Sequence, residues 1–234
     1  MATQTATRGG GNPKPVTPAA PAVAAPRRDF GDRALEWIKA HRQASSWIGT
    51  AIVLAAVLVV WQLSIRRRAE EIASQELQGA RYAYENQNLP LAASELAKVV
   101  ENYSGSNAAS EARLLLANVR LLQGQPQQAI DVLKDYASGA GKAYRSQSYG
   151  LLGAAYENLG RWRDAAEAYE NGATAARLDF QKAQMLSDAG RSWTTAADTA
   201  KAVADYRRIV KEFAKEGNVT EAKVRLAELT RGSM

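Results

Sequence analysis

Apolar and polar positions follow two regimes along this chain. From Trp47 to Ile65, WIGTAIVLAAVLVVWQLSI, nineteen residues pass without a charged side chain. Beyond Arg68 the apolar positions recur at steps of three and four, the spacing of one helical face. The pattern is clearest from Ser146 to Arg177. There Tyr149, Leu152, Gly153 and Tyr156 share one face, and Ala165, Tyr169 and Gly172 share a face of the next helix. Gly160 lies between them, where a residue without Cβ leaves a helix at positive φ with little cost. The spacing predicts two short helices joined by a tight turn, with small residues allowing close approach and aromatics filling the remaining space.

The same pattern returns on both sides. Ala92, Ala129, Ala165 and Ala202 stand at intervals of 37, 36 and 37 residues. Around Ala129 the marks are Leu116, Ala117, Gly124 and Leu133; around Ala202 they are Ala189, Gly190, Trp193, Tyr206, Ile209 and Phe213. The first copy is worn, with Ala80, Ala83, Leu96, Val99 and Tyr103 its clearest positions. A unit that cannot bury its own apolar face stacks on copies of itself. Tyr149, Leu152, Gly153, Tyr156, Ala165 and Tyr169 resemble the signature of the tetratricopeptide repeat, with Gly172 at its small position and Arg177 where a closing proline is usual. The resemblance implies an all-α fold: one transmembrane helix followed by a tetratricopeptide-like solenoid of helical hairpins with a C-terminal capping helix.

Four segments follow in order. Residues 1–28 form a Pro/Ala-rich tail with few large apolar side chains, too few to offset the entropy of ordering it. Residues 29–45 carry Phe30, Leu35, Trp37 and Ile38 beside Arg33, Lys39 and Arg42, a composition suited to an amphipathic helix in a headgroup layer. Residues 46–68 form a predicted transmembrane helix. At about 1.5 Å per residue its uncharged part matches a bilayer core, and Trp37, Trp47 and Trp61 fall where amphipathic rings favour the membrane interface. A cleaved leader would need 46 residues ahead of the apolar run, and no small-x-small site follows it. Residues 69–234 form the repeat domain. No proline interrupts the chain between the apolar run and Pro90, so one rod of about 40 residues is expected to lead from the span into the first repeat. The last helix is expected to open with an Asn218-Val219-Thr220-Glu221 capping box.

Charge changes this picture only when it is partitioned. The net charge is +6, but residues 1–46 hold seven bases against three acids, and Arg66, Arg67 and Arg68 flank the apolar run. The repeats are then close to neutral, so the basic balance reports tail and membrane flank and argues against nucleic acid. Within about 20 residues of the span, Arg27, Arg28, Arg33, Lys39 and Arg42 on one side face Arg66, Arg67, Arg68 and Arg81 on the other. Five against four leaves orientation open on the positive-inside rule.

The chemistry-bearing residues exclude most enzyme classes. There is no cysteine, and the one histidine is His41 beside the apolar run. Thiolate nucleophiles, disulfides and histidine-based pairs or metal clusters in the repeats have nothing to use. The carboxylates read as solvated helix surface. No catalytic residue, cofactor, metal or small-molecule substrate is expected. The surface left to work is the groove that the first helices of the hairpins line. The tetratricopeptide resemblance implies that it is built from Glu111, Leu114, Asn118, Leu121 and Leu122, then Gln147, Gly150, Ala154, Glu157 and Asn158, then Gln184, Ser187, Arg191, Thr194 and Thr195. The Lys/Asn/Arg clamp that some members use for a terminal carboxylate is missing, which favours extended or folded protein clients.

The order of tail, amphipathic segment, single span and repeat domain is similar to the single-span ancillary subunit of the bacterial Sec translocon. That resemblance covers roughly residues 30 to 230. It implies a bacterial inner-membrane protein with its C-terminal domain in the periplasm, and partners among translocon subunits, periplasmic chaperones and unfolded clients. A membrane-tethered organiser of envelope or division complexes, and a cytoplasm-facing adaptor, are the other readings of the same features.

Overall fold

The computed structural model describes residues 39–231. The tail at 1–28, most of the 29–45 segment and Trp37 lie outside the described residues. Among the described residues there are nine long helices and no strand: α1 Arg42–Glu85, α2 Leu89–Asn102, α3 Asn107–Leu122, α4 Pro126–Gly139, α5 Arg145–Asn158, α6 Trp162–Ala175, α7 Asp179–Thr195, α8 Thr199–Glu212 and α9 Val219–Thr230. The fold is all-α and the repeats are hairpins, as the periodicity predicts. The chain divides into two units, Met1–Leu58 and Val59–Met234. In the first, residues 46–58 are exposed throughout.

The expected rod is a single helix of 44 residues. From Ser46 it is long and apolar enough to cross a membrane, with an 18-residue window of mean hydropathy 2.3 that is not buried anywhere in the protein. Further along, Ala73, Leu77, Ala80 and Ala83 are buried. Steps of four, three and three put them on one face, which packs with Ala92, Leu96 and Val99 of α2 and Ala109, Ala112 and Leu116 of α3. Polar contacts hold the same segment in place. Glu70 accepts from the backbone N–H of Asn107 (2.7 Å) and Ala108 (2.9 Å), and so caps α3 together with Ser106, whose Oγ accepts from Ala109 N–H. Tyr103 donates its hydroxyl to Glu76 at 2.9 Å, and Arg81 pairs with Glu111.

Four turns inside the hairpins share one geometry. Gln87, Gly124, Gly160 and Ala197 have φ of 57°, 69°, 70° and 60°, and each stands five residues before Ala92, Ala129, Ala165 or Ala202. In each, the N–H of the left-handed residue bonds three residues back and the next N–H bonds five residues back. Gly160 reaches Glu157 and Arg161 reaches Tyr156, both at 2.9 Å; Ala197 reaches Thr194 at 3.1 Å and Asp198 reaches Trp193 at 2.9 Å. These paired bonds satisfy carbonyls that a helix end leaves without partners. The left-handed residue was legible at Gly124 and Gly160, and hidden at Gln87 and Ala197, where a side chain bears the strain.

Two sequence expectations are corrected. Asn218 makes no side-chain cap to α9; its φ of −84° with ψ of 0° is already helical, so its side chain does not reach the free N–H groups. The carboxylates are not all solvated surface. Asp205 is 3 % exposed, because α8 turns it inward beside Glu170 of α6. Burial and then the Glu170 carboxylate push its carboxyl up to about 7. Glu170 itself accepts from Trp193 Nε1 at 2.7 Å, and Lys201 Nζ lies 3.8 Å from the centre of the Trp193 ring.

Candidate functional site

The first helices of successive hairpins stand side by side, as the repeat frame requires, and α1, α3 and α5 enclose an open cleft of about 510 Å³. Arg81 and Tyr84 come from α1, Glu111, Leu114 and Asn118 from α3, and Gln147 and Leu151 from α5. Leu114 is on the lining yet only 5 % exposed, an apolar floor beneath a polar rim. Asn118 donates an amide hydrogen to the Tyr84 hydroxyl at 3.2 Å. That bond aims the amide across the cleft and leaves its carbonyl for a guest's N–H. The Tyr144 phenol, also on the lining, is raised by partial burial and next by the Glu111 carboxylate, so it stays a donor at neutral pH. Amides, a phenol and an ion pair over leucine suit a polypeptide, whose backbone supplies matching groups at each residue.

Of the residues expected in the groove, Glu111, Leu114, Asn118 and Gln147 are therefore brought together. Gln147 and Gln184 line a second, larger cleft. Leu122 is 57 % exposed, while Leu121 is half-buried against the core of the second and third repeats. Asn158 is exposed and donates back to the carbonyl of Ala154 in its own helix at 3.0 Å.

Glu157 and Arg191 have tasks the sequence did not reveal. Glu157 accepts from Ser192 Oγ at 2.7 Å and from the Tyr169 hydroxyl at 3.2 Å, and Arg191 approaches it at 3.3 Å while pairing with Asp188 at 2.9 Å. Burial first, and then Glu157, raise the Tyr169 phenol well above its ordinary range. The carboxylate thus ties α5 to α6 and α7 from a groove position. The signal was Ser192, a small hydroxyl one helical pair away, at a spacing of 35 residues. Among the described residues no three His, Cys, Asp or Glu side chains gather as a metal would need.

Comparison with known proteins bears on this architecture. A family model described as "Tetratricopeptide repeat-like domain" matches residues 66–187, slightly more than half of the chain. The chain belongs to that family. Among solved structures, this tetratricopeptide-like chain is similar to TPR-like repeats from Podosopora anserina, described as those of a kinesin light chain. One such structure has 19 % identity and a TM-score of 0.53, and a single-residue variant of it has 18 % and 0.54. In both cases the match covers 68 % of this chain and 85 % of the other. Likeness at that identity establishes the fold. No curated protein matches the chain. The tetratricopeptide-like domain is a scaffold fold of a kind that binds other proteins, and its helix-hairpin stack presents surface for contact.

Proposed function

We propose that the chain is a membrane-anchored scaffold that holds other proteins close to a bilayer surface through the cleft between α1, α3 and α5. The observation that carries this reading is the continuity of α1. Eight residues separate Ile65, the end of the uncharged run, from Ala73 in the repeat core. As helix that is about 12 Å, shorter than any flexible tether of use for reaching into solution. Glu111 pairs with Arg81 and Asn118 bonds Tyr84, 16 and 19 residues past Ile65 on the same helix, so a client bound there is held within about 30 Å of the end of the run.

The finer reading places the domain in the bacterial periplasm, as an ancillary subunit of the Sec translocon that passes emerging clients to chaperones. The order of span and repeats supports it, and a domain with no cysteine suits an oxidising compartment as well as a reducing one. Arg66, Arg67 and Arg68, all exposed at the carboxyl end of the run, favour a second reading: a cytoplasm-facing adaptor.

Photo-crosslinkers placed at Glu111 and Asn118 in native membranes test the scaffold. Translocon subunits or chaperones captured there, and not from Lys134 on α4, are the expected result. Capture only from Lys134 or Glu170 would overturn the groove. A reporter active only outside the cytoplasm, fused after Met234, separates the two orientations: activity supports the periplasmic domain, and silence beside an active cytoplasmic reporter rules it out.

A further inference from the structure

The larger cleft lies at a different place in the repeat unit. The segment leading into α5, the end of α6, the start of α7 and the link between α8 and α9 enclose about 1060 Å³. We propose that this cleft docks an extended peptide segment of another protein that presents a large apolar side chain next to a carboxylate; the proposal rests on the scaffold reading above and names a second contact for it.

Four observations carry it. Leu178 and Phe180 line the cleft while 52 % and 57 % exposed, large apolar side chains left to water in a domain whose other aromatics mostly pack inward. Beneath them Met185 forms an adaptable floor. Its methyl lies 2.7 Å from where a Cβ on Gly150 would stand, and its sulfur 3.1 Å from the equivalent point on Gly172. Two glycines thus admit an unbranched thioether, which reshapes around varied side chains. Charge is the third observation. Two bases, Arg177 and Lys142, stand on this cleft. Glu216 is the one acid in the lining, so the balance favours an incoming carboxylate. Last, Gln181 offers an amide to a peptide backbone, and the side-chain nitrogen of Asn218 has no acceptor among the described residues. A peptide carbonyl or carboxylate would supply one.

The test uses the full chain in lipid nanodiscs and a fluorescein-labelled octapeptide alternating Leu and Phe with Asp, against the same peptide with Lys in place of Asp. Saturable binding of the acidic peptide is expected, weakening with salt and at least about tenfold tighter than the basic one, the step that one charge-assisted contact of about 1.4 kcal/mol gives. Arg177→Glu and Phe180→Ser, alone and together, should each cost about tenfold or more, with unchanged thermal unfolding because both side chains are exposed; Lys134→Glu, on a remote face, should bind as the parent does. Equal binding of both peptides, or no binding, overturns the proposal. So does binding lost in Asn118→Ala and kept in the cleft variants, which assigns the peptide to the α1–α3–α5 cleft. If Phe180→Ser instead abolishes self-association, the occupant is a second copy and the proposal falls. In each failure, crosslinks from Glu111 and Asn118 still decide the scaffold reading separately.

Discussion

The ring of Tyr169 occupies the space that a Cβ on Gly153 would fill: three of its carbons lie 2.7–2.8 Å from that point. One repeat later Tyr206 stands against Gly190 in the same way, at 2.8 Å. In the first two repeats the corresponding positions hold Ala80 with Leu96 and Ala117 with Leu133, all fully buried. The frame is therefore kept by complementary volume, glycine with tyrosine and alanine with leucine. Gly153→Ala should destabilise the domain by about 1–3 kcal/mol through overpacking, more than the ~1 kcal/mol that helix propensity returns. Adding Tyr169→Leu should recover part of that loss, and a double-mutant cycle followed by chemical denaturation measures the coupling. Additive costs would show that the two positions do not pack as a pair.

The left-handed turns make a prediction of opposite sign. Gly160→Val should cost about 1–3 kcal/mol, since a β-branched residue is strained at φ of 70°. Ala197→Gly, at φ of 60°, should stabilise by about 0.5 kcal/mol, because relief of left-handed strain outweighs the added freedom of the unfolded chain. Thermal unfolding of the two variants side by side reads both signs.

Stability should depend on pH through Asp205. Its carboxyl is pushed up to about 7 in the folded protein against an ordinary 3.8, so the native state holds a proton that the unfolded chain has released. Stability is then greatest at the acid end of this window. It falls as pH rises from about 4 to 7, by up to about 4 kcal/mol at the extreme. Asp205→Asn should flatten the profile and raise stability at pH 8 by about 2–4 kcal/mol, since an amide can donate to Glu170 without ionising. A variant that keeps the wild-type slope in denaturation from pH 5 to 8 would assign the dependence to another group.

Glu70 and Glu157 should behave as structural carboxylates of different weight. Glu70→Ala removes two charge-assisted bonds to the start of α3, at a cost of about 1 kcal/mol or a few degrees in Tm. Glu157→Ala leaves Ser192, buried, and Tyr169 without their acceptor and should cost about 1–3 kcal/mol. Arg191→Ala takes a half-exposed cation from a carboxylate only 16 % exposed and should cost about 1 kcal/mol, less than Glu157→Ala because the Ser192 and Tyr169 bonds remain. Equal losses at Glu157 and Arg191 would mean that the ion pair, and not the hydrogen bonds, holds the hairpins together.

The helices, their pairing and the repeat are legible in the order of residues alone. An apolar face at every third or fourth residue and an alanine every 36 or 37 are local statements that survive in any packing of those helices. The rod that runs unbroken from Arg42 to Glu85 was equally legible, since no proline falls between the apolar run and Pro90. Other features exist only once the hairpins are stacked. Gln87 and Ala197 adopt positive φ because the two helices of a hairpin can pack only if the chain turns there, whatever residue stands at the turn. Asp205 is buried and Glu157 bonded because their partners, Glu170 on one side and Ser192 on the other, lie 35 residues away in the chain. The α7 cleft was invisible for the same reason: Arg177, Leu178 and Phe180 read as an ordinary turn until α5 and the α8–α9 link are set around them. Helical period is written in neighbouring residues, whereas burial, pairing and concavity belong to surfaces that meet only when the repeats stack.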